Sequence, residues 1–228
     1  MRYIDLTAEL AHGMVRHPAP HLPPVEVVPV ATHERDKRLV HRVSFGTHVS
    51  THLDAPSHAV EGGLSIDEIA IDVFCGTTAL IRFDDATKQN PIDVSHLESS
   101  RDVLSRNRRV VLETGWARKQ WGSAEYFTQG PFLTREASQY LAEFDIALLG
   151  MDFPNVDCDG ETRPGIQAPN HGILLGTGLV LLENLLNLEQ IEAPEFKLIA
   201  LPLRLIGGDG CPCRAVAEIP GPEIQGVQ

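Results

Sequence analysis

His48-Val49-Ser50-Thr51-His52-Leu53-Asp54-Ala55-Pro56-Ser57-His58 sets three imidazoles and a carboxylate within eleven residues. Positions 48, 52, 54 and 58 share one parity, and on an extended chain side chains two apart point the same way. A helix would put His48 and His52 on one face, but not His52 with Asp54. Val49, Ser50, Thr51 and Pro56 also make a helix unfavourable. The stretch therefore reads as the end of a strand that delivers imidazole, imidazole and carboxylate to one point, a donor set suited to a divalent transition metal. The competing reading is a polar strand whose histidines only make hydrogen bonds.

Outward from this motif, short apolar runs rich in branched residues predict strands over 26–30, 79–83, 109–113, 146–151, 197–205 and 215–219. Helical patterns lie between them. Thr134 is a good N-cap, and Ala137, Tyr140, Leu141 and Phe144 follow at helical spacing. Residues 179–188 read as a second, strongly apolar helix. Ser65-Ile66-Asp67-Glu68 has the form of a capping box that opens a short one. Strands interleaved with helices predict the α/β class with a mixed sheet, and their uneven spacing argues against a regular barrel. With no repeat and no linker, residues 1–228 read as one domain. Pro18, Pro20, Pro23 and Pro24 make residues 12–24 an irregular strap. Its His17 and His21 are surface groups or part of a pocket wall.

At 228 residues the chain is long enough to bury a real core. A net charge of −12 with no Lys/Arg stripe disfavours nucleic acid as a partner. No segment approaches the ~20 apolar residues of a membrane span, and residues 1–7 lack a signal peptide's apolar run. A cytoplasmic protein without membrane contact is the expectation. Cys211-Pro212-Cys213 has the wrong spacing for a zinc knuckle. The cysteines read as reduced and structural.

One trio of ligands leaves a metal underfilled. His171 follows Ala168-Pro169-Asn170 in what reads as a loop, either as a ligand or as a helix-cap or surface group. Glu183 lies in the apolar run Leu181-Leu182-Glu183-Asn184-Leu185-Leu186. A carboxylate there is costly to bury unless paired or metal-bound, or it faces solvent on an amphipathic helix. Asp152 and Asp157 follow Gly150 at a strand exit and serve either to orient a ligand or to form a turn.

Taken together, these motifs resemble the metal-dependent cyclase/hydrolase family that includes bacterial kynurenine formamidase and isatin hydrolase. The family motif H-x-G-T-H-x-D-x-P-x-H stands here at His48 through His58. The resemblance continues through Thr114-Gly115-Trp116 and through Leu149-Gly150-Met151-Asp152-Phe153-Pro154-Asn155-Val156-Asp157. It then takes in His171 with Glu183-Asn184-Leu185, and Leu201-Pro202-Leu203. It ends on Gly208-Asp209-Gly210-Cys211-Pro212-Cys213-Arg214-Ala215-Val216, so that nearly the whole chain is covered in order.

The resemblance implies that His48, His52 and Asp54 hold a first ion. Asp54 would bridge to a second ion held also by His171, and Glu183 would reach both. His58 would transfer protons. It also implies one or two zinc or manganese ions, an α/β fold around a partly barrel-like mixed sheet flanked by helices (the cyclase-family swivelling β/β/α arrangement), and a homodimer or homotetramer. The implied activity is hydrolysis of a small-molecule amide, formamide or lactam by metal-activated water, acting on C–N bonds other than peptide bonds. Alternatives are cyclisation or dehydration at the same site, or a non-catalytic metal- or ligand-binding relative. Two positions depart from the family pattern. Ser50 replaces the glycine before Thr-His, and His17 before Pro18 replaces an aromatic residue that packs on the substrate ring. An imidazole stacks less surface than an indole, so the second departure bears on substrate choice, with His17 as the candidate substrate-binding residue.

Overall fold

The computed structural model describes residues 1–158 and 169–221. Among them, ten strands follow in chain order: β1 (Arg2–Asp5), β2 (Glu26–Ala31), β3 (Val40–Ser44), β4 (His52–Asp54), β5 (Cys75–Arg82), β6 (Arg109–Glu113), β7 (Leu148–Met151), β8 (Val180–Glu183), β9 (Glu195–Pro202) and β10 (Gly210–Ile219). Seven close on themselves in the order β10-β4-β8-β7-β6-β5-β9 and back to β10. Strands β5 to β8 are parallel neighbours, and the remaining pairs in the ring are antiparallel. The start of β10 pairs with β4 and its end with β1. The expected α/β domain with a mixed, barrel-like sheet is present.

Alternation along these strands builds two cores. Leu53, Leu80, Val111, Leu148, Leu182 and Leu198 join the core inside the ring. Their neighbours Ile81, Val110, Leu112, Leu149 and Leu181 pack outward with the helical residues Leu97, Leu104, Leu141 and Leu174. Burying one such leucine stabilises the fold by about 2 kcal/mol. On its outer face β4 carries His52 and Asp54, so the candidate ligands stand on the helix-covered side of the sheet. Closure also removes most edges that could pair with another chain.

The helix Arg135–Leu141 forms as expected, with the Thr134 hydroxyl accepting from the Ala137 N–H and Ala137, Tyr140 and Leu141 buried. Residues 179–188 are not helical. Val180–Glu183 is β8, buried at all four positions, and a strand covered on both faces shows a continuous apolar run in place of alternation. One half of the expected capping box is present, the Ser65 N–H donating to Glu68 Oε2 at 3.0 Å, but the Ser65 hydroxyl donates to Asp67 and Glu68 and does not cap the Glu68 N–H. No helix follows: Ala70 turns extended at ψ 133° before a short 3-10 turn over Ile71–Val73. Strands β2 and β3 form a separate two-stranded sheet, every β3 residue of which is exposed. Residues 12–24 are an irregular strap, as expected. No helix among the described residues is long and apolar enough to cross a membrane.

Candidate active site

Sheet register assembles the site. In the β4–β8 pairing His52 lies opposite Glu183, and in the β4–β10 pairing Asp54 lies opposite Gly210. His52 and Asp54 follow the expected extended parity, whereas His48 arrives from a bend and His58 from a 3-10 turn over Pro56–His58. His171 is not in a loop: it sits in the first turn of the helix Pro169–Leu175, which packs over this face. In this first turn Asp157 accepts from the backbone N–H groups of Asn170 and His171, at 2.9 and 3.3 Å. All five expected ligands, His48, His52, Asp54, His171 and Glu183, therefore meet at one point.

Their orientation is specific. The His48 ring places Nδ1 2.6 Å from Asp54 Oδ1 and Nε2 2.9 Å from Asp209 Oδ2. The His52 Nδ1–H donates to the Ser50 carbonyl at 3.0 Å, leaving Nε2 at 3.2 Å from Asp54 Oδ1 and 3.5 Å from Glu183 Oε2. The His171 Nδ1–H donates to Asp157 Oδ2 at 2.7 Å, leaving Nε2 at 3.5 Å from Asp54 Oδ2 and 3.7 Å from Glu183 Oε1. Each histidine thus has its outer nitrogen anchored and its inner nitrogen aimed at the carboxylates, the arrangement that fixes tautomer and aim in metal sites. Each carboxylate divides its two oxygens, one toward His52 and one toward His171.

Charge in the site is strongly coupled. Burial opposes protonation of His48, but the negative charges of Asp54 and Asp209 override it and raise it to about 10. His171 is raised despite burial by its hydrogen bond to Asp157 and by the nearby carboxylates of Asp54 and Glu183. Burial works against ionisation of Asp54, yet the surrounding imidazoles hold it well below the carboxylate range. Glu183 is raised by burial and by the Asp54 charge. His58 is lowered by burial and by its cationic neighbours. The cluster attracts positive charge to its centre. Glu183 Oε1 is buried with no hydrogen-bond partner among the described residues, a cost that a cation would offset. The nitrogen and oxygen donors His48, His52 and Asp54 also lie within 4.8 Å of one another. The residues present fit a divalent ion.

Supporting contacts hold this geometry. Ser50 adopts φ 58°, the left-handed conformation that glycine takes freely, and its hydroxyl donates to the Ala8 carbonyl at 2.7 Å. Asn184 donates from Nδ2 to the Ser50 carbonyl at 2.8 Å and accepts from the Tyr126 hydroxyl at 2.9 Å. Asp157 orients His171, so the orienting role left open for it is the one seen. Asp152 instead accepts from the Thr114 N–H and hydroxyl at 2.8 and 2.7 Å. Burial pushes Asp152 up to about 6, against these Thr114 bonds. A raised folded value means that its share of stability is complete below an ordinary carboxylate's pKa and is lost as pH rises through about 6. Asp152→Asn is expected to be the more stable protein at pH 8, on the order of 2 kcal/mol, with the gap closing toward pH 4. Denaturant titrations of both proteins across that range check this, and a pH-independent difference would refute it.

A cavity of about 580 Å³ opens onto the site. The strap contributes Arg16, His17, His21 and Leu22 to its wall, with Phe127 and Pro154 facing them. The His17 ring meets Phe127 edge-on, with centroids 6.1 Å apart. His17 lines this cavity, but the larger aromatic surface there is Phe127, which local patterning does not single out. Asp209 was missed as well. Cys75, Cys211 and Cys213 are free thiols, and burial pushes Cys213 up to about 12, in keeping with a structural role.

The chain is similar to known proteins. The Cyclase family model matches residues 4–158. Kynurenine formamidase of Bacillus cytotoxicus is 32% identical over 178 residues, 77% of this chain and 78% of that one. The kynurenine formamidase of Salinibacter ruber is 32% identical over 175 residues, 75% and 76% of the two chains. Among solved structures, isatin hydrolase A of Labrenzia aggregata, bound to benzyl benzoate, superposes with a TM-score of 0.79 at 26% identity over 95% of this chain and 93% of that one. By the extent of these matches and the order of its motifs, the chain belongs to the Cyclase family.

Proposed function

We propose that this protein is a metal-dependent hydrolase of a small amide, formamide or lactam, acting on C–N bonds outside peptides. The observation that carries the reading is the division of Asp54 and Glu183, each with one oxygen toward His52 and the other toward His171. His48, His52 and Asp54 would hold one ion, and Asp54 and His171 a second, with Glu183 reaching both. The kynurenine formamidase and isatin hydrolase relatives support the reaction class. Zinc or manganese suits these nitrogen and oxygen donors. A cytoplasmic homodimer or homotetramer acting on a small molecule completes the proposal.

When bound, such ions supply Lewis acidity, polarising a carbonyl and making water more acidic. The chain's own residues do the rest. Hydrolysis forms a C–O bond to water, breaks the C–N bond and moves one proton from water to the leaving nitrogen. His58 suits that transfer. Its side chain is 31% exposed, against 12% for His48, 4% for His52 and 10% for His171, so it alone of the four faces the cavity freely. Leu22, Phe127 and Pro154 hold the apolar part of a substrate and exclude water.

The test is turnover of a panel of aryl formamides and lactams, including N-formyl-L-kynurenine and isatin. The protein is stripped with chelator and reloaded with zinc or manganese. Acid release that vanishes on stripping and returns on reloading is expected. Turnover indifferent to chelation, or none across the panel from metal-loaded protein, would overturn the proposal.

A further inference from the structure

We propose that Asp209 is the positioning residue of this site, one carboxylate oxygen aligning both His48 and His58; this rests on the hydrolase reading above. Asp209 is fixed at both ends. Its backbone carbonyl accepts from the Ala55 N–H at 2.9 Å, next to Asp54, and its Oδ1 accepts from the Thr47 hydroxyl at 2.9 Å. That leaves Oδ2, which lies 2.9 Å from His48 Nε2 and 3.5 Å from His58 Nδ1. The two rings lie over one another, with centroids 3.9 Å apart and planes tilted 38°. The next residue has to be glycine for this to happen. A Cβ on Gly210 would stand 2.8 Å from His48 Cε1 and 2.6 Å from the Leu53 carbonyl.

The other outer anchors serve one histidine each, Ser50 for His52 and Asp157 for His171. Asp209 serves two with different tasks. By receiving the Nε2–H of His48 it makes Nδ1, on the side of Asp54, the nitrogen that would serve as a ligand. By receiving the Nδ1–H of His58 it leaves Nε2 free to accept a proton from water and return it to the leaving nitrogen, with no net change at the imidazole. The same oxygen thereby fixes the distance between the ligand ring and the proton-carrying ring. A rival role exists, because His48, His58 and Asp209 also place ligand atoms within 4.8 Å of one another and could themselves hold an ion.

Metal titration separates the two roles. Metal-loaded wild type, Asp209→Asn, Asp209→Glu, Thr47→Val and His58→Ala are compared for ions bound per chain, for kcat and KM on the best formamide of the panel, and for imidazole nitrogen resonances. Asp209→Asn is expected to bind as many ions at saturation, to lose about 10–100-fold in kcat with KM within about threefold, and to lose the protonated-Nδ1 signal of His58. Asp209→Glu recovers part of kcat, and Thr47→Val falls in the same direction by a smaller factor. Asp209→Asn with kcat within about twofold of wild type, or with one ion fewer at saturation, would overturn the assignment. His58→Ala with full activity would defeat the proton-carrying role of His58 and with it the tasks given to Asp209, whereas no acid release from metal-loaded wild type would defeat the hydrolase reading itself. His58→Ala without activity beside fully active Asp209→Asn would defeat only the role of Asp209.

Discussion

Asp54→Ala is expected to bind no ion at either position and to lose turnover by about a thousandfold or more, ~4 kcal/mol of transition-state stabilisation. The size follows from the place of the side chain. Both oxygens are used, Oδ1 by His48 and His52 and Oδ2 by His171. No other carboxylate among the described residues contacts all three rings. Removing it also leaves a buried cluster of imidazoles with less compensating charge, which destabilises the metal-free protein. Asp54→Asn keeps the shape and serves where alanine impairs folding. The measurements are metal content by elemental analysis, near-ultraviolet circular dichroism and turnover. Full metal content in a folded variant would refute the assignment of Asp54 as the shared ligand.

His58→Ala is expected to do the opposite: metal is retained and kcat falls by about 10²–10⁴-fold, the usual worth of a positioned proton carrier. Its ring centroid is 5.5 Å from that of His171, and its Nδ1 lies 3.5 Å from Asp209 Oδ2. Lost metal with lost turnover would move His58 into the ligand set instead. Asp54, His58 and His171 do bring donor atoms within 4.8 Å, so the metal count is the deciding readout.

Where the sequence was legible, a short-range rule was at work. Strand β6 forms over the same residues that its short, branched apolar run predicts, and Thr134 caps its helix through the local bond that favours threonine there. The rule failed at β8. Burial on both faces erased the alternation that distinguishes strand from helix, and Asn184 and Asn187, with φ of 63° and 59°, end the run in a way a propensity count does not register. β3 is exposed at every position and carries no pattern to read. The ligands divide similarly. His52 and Asp54 follow from strand parity, while His48 and His58 reach the site through a bend and a 3-10 turn, so their matching parity is incidental. His171 and Glu183 stand out as candidates from their neighbours in the chain, but only the resemblance makes them ligands. Asp209 meets Thr47 and His48 across 162 and 161 positions of chain, a distance over which local spacing is silent.

Strand β4 is three residues long, and its middle one, Leu53, is fully buried inside the ring while its two neighbours face the opposite side. A slip of one residue against β8 would send a leucine into the pocket and an ionisable side chain into the oil. Refolded material could regain its overall secondary structure with β4 mis-threaded, and a spectrum averaged over the whole sheet would scarcely notice three residues. Regained catalysis would notice. For this protein, specific activity is the stricter gauge of nativeness, because the chemistry and the threading of β4 share one register.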